Sequence, residues 1–242
     1  PPTFNLLMKV SMSRLVMCLA ALKAAPPTYS LAARLPEQDL PLDGNHVFVG
    51  TDGCGVEIID LDSGVRRTSR LSDVVEIARV ADALPEIAFH WVPLSAQDRP
   101  PQSRGLHELL AIWNNSTKHA QTESIYSAAE ATLAVEMASA IAGGKQALRQ
   151  RPLLSLMQCT APPLGQDGGS LDAALIGAEA GLPVGFMTMT ASLTTAPATL
   201  AGNLVVGNAE VISALALIQL AYPGAPVFYA AAQTASDLRS GA

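Results

Sequence analysis

Short strand patterns and helical patterns alternate along most of this 242-residue chain. Strands are predicted at 87–92, 118–122, 153–158, 184–189 and 226–230. Helices are predicted between and around them at 72–83, 104–113, 126–142, 170–180 and 198–221. Most of these strands are nearly continuously apolar, which is typical of a parallel sheet that helices cover. The alternation therefore predicts an α/β fold.

The chain before this alternation is predicted to form a helix and a hairpin. Apolar residues recur at helical spacing within 10–25, and Pro26-Pro27 ends that helix. Strands at 46–50 and 56–60 flank Gly53-Cys54-Gly55 and are expected to pair as a hairpin, 46–60, that leads into the sheet. The first of these strands could also be a sixth strand of the sheet.

Two architectures fit this strand count, an open doubly wound sheet and a barrel. A dinucleotide-binding sheet carries a glycine fingerprint in its first strand-to-helix turn, and no such fingerprint is present. A (β/α)8 TIM-type barrel needs eight strands, and this chain supplies about six. We therefore expect residues 1–242 to form a single, incomplete barrel domain whose C-terminal part is missing.

Charge and cysteine usage narrow the function classes. The net charge is −6 and the basic residues are scattered singly, so nucleic acid is not an expected partner. The three cysteines are far apart and form no CxxC pair, so neither a disulfide framework nor a metal site is expected. No apolar run is expected to approach the length that spans a membrane, so a membrane is not an expected partner and a cytoplasmic location is expected. An open barrel with the apolar helix 198–221 predicts association, as a homo-oligomer or with a missing part.

Several stretches carry a family resemblance. The most specific is Thr195-Ala196-Pro197-Ala198-Thr199-Leu200-Ala201-Gly202, followed by Asn208-Ala209-Glu210 and Pro223-Gly224-Ala225-Pro226-Val227. In their order and spacing these stretches resemble the trimethylamine–corrinoid methyltransferase family, including its glycine-betaine methyltransferases that lack pyrrolysine. The resemblance implies transfer of a methyl group from a methylated amine to the Co(I) of a separate corrinoid protein, a reaction that serves methanogenesis in some members. It implies no tightly bound cofactor.

The chemistry of a quaternary amine then selects candidate residues where strands end, because barrel sites lie at the carboxyl ends of strands. A cation is held by a carboxylate and by aromatic faces, and a betaine carboxylate needs hydrogen-bond donors. Glu123 is the candidate catalytic residue. The candidate substrate-binding residues are Trp91, His119, Gln158, Thr190, Tyr229 and Gln233.

Other interpretations stay open at this point. Trp91 and Tyr229 could be packing residues, and Glu123 could favour a helix N-terminus without a catalytic task. Glu210, inside an apolar helix, is either a hydrogen-bond partner between helices or a functional acid. Lys118 could be the nucleophile of a Schiff-base aldolase on the same fold. The non-enzymatic alternative is a catalytically inactive or truncated relative that acts as a binding or structural protein.

Overall fold

The computed structural model describes residues 12–240. Six parallel strands form the main sheet: β1 Val49–Gly50, β2 Ile87–Trp91, β3 His119–Thr122, β4 Leu154–Ala161, β5 Val184–Thr188 and β6 Val227–Ala231. A short seventh strand, Gly165–Gln166, pairs antiparallel with the end of β4. The helices are α1 Met12–Leu22, α2 Leu71–Ala83, α3 Arg104–Asn115, α4 Ala128–Ala142, α5 Lys145–Gln150, α6 Gly168–Ala180 and α7 Leu200–Ala221. The α/β prediction is confirmed, and each predicted strand from 87 onward is present within a few residues. The predicted start of the first helix, residues 10 and 11, lies outside the described residues.

The six strands lie in the sheet in the order in which they occur along the chain. Every neighbouring pair from β1 to β6 is parallel, as predicted for the strands from 87 to 230. A doubly wound sheet would reverse this order at a switch point, whereas a barrel keeps it. The sheet is curled, since Phe89 of β2 and Phe228 of β6 line one cavity of about 200 Å³. These strands form a half-barrel.

The two faces of the sheet differ in what covers them. Leu154, Leu156 and Phe186 belong to buried clusters formed with the helices and lie on the outer face. Residues between them in sequence, such as Ser155, point to the concave inner face. On that face, Ser155 Oγ and His119 Nε2 of β3 form a hydrogen bond of 2.9 Å. The inner face is thus partly polar.

The predicted hairpin at 46–60 is wrong. Val49–Gly50 pairs in parallel with β2, and Glu57–Ile59 pairs antiparallel with Arg66–Thr68. The tight turn follows the second predicted strand, because the Asp60 carboxylate accepts the Ser63 amide at 3.0 Å and Gly64 adopts a φ of +68°. The segment expected to be the turn instead runs along the end of β2, where Cys54 N donates to Val92 O at 3.2 Å.

A hairpin that sequence analysis did not find covers the amino ends of the strands. Tyr29–Leu31 pairs antiparallel with Leu40–Leu42. The residues after its first strand are buried, and Ala32 N donates to Pro152 O at 3.1 Å just before β4. The leucines of this hairpin line the same cavity as Phe89 and Phe228. The hairpin therefore closes the amino end of the inner face.

Helix α7 is long and apolar enough, by length and composition alone, to cross a membrane. The expectation that no segment reaches that length is therefore wrong. In the described structure α7 packs on β5, β6, α1 and α6, and it buries the polar side chains of Asn203, Glu210 and Gln219. Each of these three is hydrogen-bonded, as buried polar groups require.

Candidate site at the carboxyl ends of the strands

Four side chains converge at the carboxyl ends of the first four strands. Trp91 ends β2, Glu123 directly follows β3, Cys159 lies near the end of β4, and Cys54 lies in the loop after β1. Trp91 is the register partner of Gln121 on β3, two residues before Glu123, so both side chains face the concave side. Parallel strands present their carboxyl ends at one edge, which explains why residues so distant in sequence meet here.

Glu123 is the buried charge of this group. Its side chain is only 7% exposed, and the thiol of Cys159 lies 3.9 Å from its Oε2. Burial raises the pKa of Glu123, and the nearby Asp52 carboxylate acts in the same direction. Hydrogen-bond donors, the thiols of Cys54 and Cys159 and the Trp91 indole, act in the opposite direction. A cation placed beside Glu123 would favour its ionised form.

Trp91 is held by the loop that follows β1. A Cβ atom on Gly53 would lie 2.3 Å from Trp91 Nε1, so only glycine lets this loop pack on the indole. The Trp91 indole nitrogen is buried and forms no hydrogen bond of regular geometry, although it lies close enough to the Glu123 carboxyl to lower its pKa. The ring is therefore fixed by packing, with its N–H available on the side where Glu123 lies.

The two thiols beside Glu123 are poor nucleophiles. Burial, with the neighbouring Glu123, raises the pKa of Cys54 to about 12 and that of Cys159 to about 11. A thiol reacts as its thiolate, which is scarce at neutral pH when the pKa is this high. Both groups therefore act as neutral, weakly donating neighbours of Glu123.

The structure places His119 at the other end of the barrel. It begins β3 and is fully buried beneath the amino-end hairpin, with Nδ1 2.9 Å from Ala32 O. Burial lowers the pKa of His119 to about 4, so the ring is neutral at physiological pH. His119 does not meet Glu123 or Trp91, and it fixes the hairpin to the sheet instead.

Gln158 and Tyr229 also lie away from Glu123. Gln158 is the register partner of Phe186 on the outer face, is fully buried, and donates to Ile125 O at 3.2 Å. Tyr229 is likewise paired with Phe186 and lies on the outer face of β6, where it is 45% exposed. Their side chains point toward the helix layer, because residues at odd and even positions of a strand face opposite sides.

Thr190 and Gln233 belong to a separate polar cluster under α7. Gln233 Nε2 donates to Thr190 Oγ1 at 3.1 Å and to Asn203 Oδ1 at 2.8 Å. Glu210 of α7 anchors the adjoining loops, since its carboxylate accepts Thr160 Oγ1 and the Leu164 amide, each at 2.7 Å. Of the two interpretations left open for Glu210, the role of hydrogen-bond partner matches this geometry. The Glu210 carboxylate, however, joins α7 to a strand end and a loop rather than to another helix.

Lys118 has a structural role that removes the basis for the aldolase interpretation. Its Nζ donates to the carbonyls of Ala81 and Leu84, each at 2.7 Å, at the C-terminal end of α2. It precedes β3 and so lies at the amino end of the barrel. Burial lowers the pKa of Lys118, but both carbonyls hold the ammonium away from the concave face.

Sequence reasoning placed Glu123 and Trp91 but missed Cys54, Cys159 and Glu108. Glu108 of α3 is fully buried and accepts the Ala96 amide at 2.7 Å. A carboxylate inside an otherwise apolar helix face was the available signal for it. Among residues 12–240, no group of three or more histidine, cysteine or acidic side chains is close enough to hold a metal ion.

The fold and the site together define the class of protein: an α/β half-barrel with a buried carboxyl and an indole at the carboxyl ends of its strands. Residues 8–242 match the family described as trimethylamine methyltransferase (MTTB), and the chain belongs to that family.

Named relatives agree with this assignment. "Trimethylamine methyltransferase MttB" of Desulfitobacterium hafniense strain DSM 10664 / DCB-2 is 36% identical over 91% of this chain and 44% of its own length. "Glycine betaine methyltransferase" of strain Y51 is 34% identical over 91% of this chain and 46% of its own length. "Trimethylamine methyltransferase MttB" of Methanosarcina barkeri is 30% identical, again over 91% of this chain and 46% of its own length. The chain thus spans less than half the length of these relatives.

Proposed function

We propose that this chain forms part of a TIM-barrel enzyme that moves a methyl group from a methylated or quaternary amine to the Co(I) of a corrinoid carried by a separate protein. The observation that carries the proposal is the buried Glu123 beside Trp91 at the carboxyl ends of the strands, in a chain of the methyltransferase family. The corrinoid supplies the nucleophilic cobalt that receives the methyl group. This chain supplies the surface that holds the amine.

The residues suit a cation that has no N–H to donate. A quaternary ammonium binds to aromatic faces and to a carboxylate, most strongly where water is excluded. Trp91 offers such a face, and Glu123 offers a carboxylate that becomes more strongly ionised when a cation lies beside it. The departing amine of a quaternary substrate is neutral, so the reaction needs orientation of one N–CH3 group rather than a general base. The two neutral thiols add no competing charge.

The proposal extends to substrate preference and assembly. Quaternary amines, a betaine before trimethylamine, are the proposed substrates, because a carboxylate beside an aromatic ring suits a permanent cation. We also propose self-association, because the outer face of β6 and much of α7 expose apolar side chains such as Tyr229, Leu204 and Val205. A cytoplasmic location remains a separate proposal.

The test measures methylation of a reduced corrinoid protein through the cobalt absorbance, with glycine betaine, proline betaine, carnitine and trimethylamine in parallel. The whole protein that carries this chain is used. Trp91→Ala is expected to raise KM about 30-fold, since a desolvated cation–aromatic contact is worth about 2 kcal/mol and 1.4 kcal/mol is a factor of ten. Glu123→Gln is also expected to raise KM, because it removes the negative charge beside the cation. Trp91→Phe keeps an aromatic face and should lose less.

The matched control is Glu86→Gln. Glu86 is exposed and lies just before β2, at the opposite end of the strands. The Glu86→Gln substitution removes one negative charge, as Glu123→Gln does, but lies outside the site. The KM of this variant should therefore equal that of the wild type. Unchanged KM in both Glu123→Gln and Trp91→Ala would refute the proposed site, and activity with trimethylamine alone would refute the substrate preference.

A further inference from the structure

A second cavity, of about 420 Å³, borders the Glu123 site at the carboxyl ends of the strands. Its polar lining consists of Cys54, Ser95, Gln97, Arg104, Ser124 and Tyr126. Cys54 connects the two sites, because its thiol lies 3.6 Å from Ser124 Oγ and also acts as a hydrogen-bond partner of Glu123. None of the sequence-predicted site residues lies in this lining.

Arg104 is the unsatisfied group of this cavity. Its Nε is buried without a hydrogen-bond acceptor, and its Nη2 reaches only the Arg99 carbonyl, at 3.5 Å. Within residues 12–240 it forms no ion pair with a carboxylate. Buried polar groups normally have partners, and the guanidinium fork matches a carboxylate or a phosphate. The cavity therefore offers arginine donors that lack an acceptor.

The surroundings of Arg104 favour an anion. Arg104 is the first residue of α3, whose N-terminal end carries partial positive charge. The helix start is fixed in place, since a Cβ atom on Gly105 would lie 2.3 Å from the Ser124 carbonyl oxygen. Burial raises the pKa of Tyr126, so its hydroxyl remains a donor.

The nearest buried acid is Glu108, whose acidity burial reduces. Burial raises the pKa of Glu108, although the Ala96 amide, Ser124 and Arg104 act in the opposite direction. A carboxyl with a raised pKa carries less negative charge than an exposed one at the same pH. Glu123, the other acid of this rim, does not line the cavity.

We propose that this cavity binds the anionic group of one of the two reactants, with Arg104 as its principal ligand. The shared chemistry is a carboxylate or phosphate that accepts paired N–H donors. It comes either from the carboxylate of a zwitterionic amine or from a phosphate of the corrinoid. The inference rests on the proposed function for the identity of those reactants, but not for the anion site itself.

Two measurements on the whole protein distinguish these sources. Equilibrium binding compares glycine betaine with tetramethylammonium, which has the same cation and no carboxylate. Steady-state assays then give KM for the corrinoid protein with trimethylamine as methyl donor. The variants are Arg104→Gln and, to keep the charge, Arg104→Lys. Arg99→Gln is the control, because Arg99 lies five residues away and does not line the cavity.

If the substrate carboxylate binds here, Arg104→Gln should weaken glycine betaine binding about 10- to 100-fold and leave tetramethylammonium binding unchanged, as expected for loss of a charged hydrogen bond. If the corrinoid phosphate binds here, KM for the corrinoid protein should rise by a similar factor while amine binding stays constant. Arg104→Lys should recover part of either loss, which also separates the effect from misfolding.

The inference is overturned if Arg104→Gln and Arg99→Gln behave alike in both measurements. The inference is also overturned if Arg104→Gln weakens the binding of glycine betaine and of tetramethylammonium equally and leaves KM for the corrinoid protein unchanged. A wild-type protein that binds glycine betaine through Arg104 but methylates no corrinoid would refute the proposed function and leave the anion site standing.

Discussion

Acidification should destabilise this protein through His119, and the size of the effect follows from the structure. The ring is fully buried, with Nδ1 2.9 Å from Ala32 O and Nε2 2.9 Å from Ser155 Oγ. Burial lowers the pKa of His119 from 6.5 to about 4. Between these values the unfolded chain binds a proton that the folded chain excludes. Stability is therefore complete above about pH 6.5 and is lost as the pH falls toward 4.

The slope is about 1.4 kcal/mol per pH unit where the two states differ by one proton. The free energy of unfolding should fall by roughly 2 kcal/mol from this residue between about pH 6.5 and pH 5. His119→Gln keeps a polar side chain that does not titrate, so this part of the pH dependence should disappear. His90, whose pKa burial also lowers to about 4, is present in both proteins and cancels in the difference.

Urea unfolding of wild type and His119→Gln at about pH 7, 6 and 5 measures that difference. The variant is expected to be less stable near pH 7 and to lose less stability on acidification. If the free energy of unfolding changes with pH by the same amount in both proteins, the fold does not hold His119 neutral, and the reasoning is refuted.

Two further predictions concern packing and buried polarity. Glu210→Ala should cost about 3–5 kcal/mol, because it leaves buried donors such as the Thr160 hydroxyl and the Leu164 amide unpaired, and Glu210→Gln should cost less. Urea unfolding checks this, and a loss below about 1 kcal/mol for Glu210→Ala would contradict it. Gly185→Ala should cost about 1–3 kcal/mol, since the new Cβ would lie 2.1 Å from the Phe228 ring. A double-mutant cycle with Phe228→Ala should show coupling, and strict additivity would contradict the contact.

The fold was largely predictable because strand and helix periodicity is a local signal. The strands from β2 to β6 and their parallel pairing follow from apolar runs that glycine and proline interrupt. The pairing of the strands within 46–60 was not predictable from local signals, because it depends on which turn forms. Asp60 and Gly64 make a tight turn that Gly53-Cys54-Gly55 does not. The wrong prediction arose from treating two adjacent strands as partners.

The site was predictable only as far as strand ends could be assigned. Glu123 and Trp91 follow from the barrel rule, since both come at the ends of strands and face inward. Gln158 and Tyr229 lie on the outer face, away from Glu123, because a shift of one position along a strand decides whether a side chain faces the cavity or the helix layer. Cys54 could not be found at all, since it reaches Glu123 from a loop whose path depends on β2.

The contact between the two ends of the described chain bears on how the protein is made. Neighbouring strands are also neighbours in sequence, so each new strand can pair with the one before it as the ribosome releases it. The Tyr29 hydroxyl, however, lies 3.5 Å from the carbonyl of Val227, which is 198 residues later, and α1 packs on α7. During synthesis, α1 can therefore pack against α7 only after α7 has emerged from the ribosome. Helix α7 emerges after five strands of the sheet, and the contact of Tyr29 with Val227 can form only once β6 has also emerged.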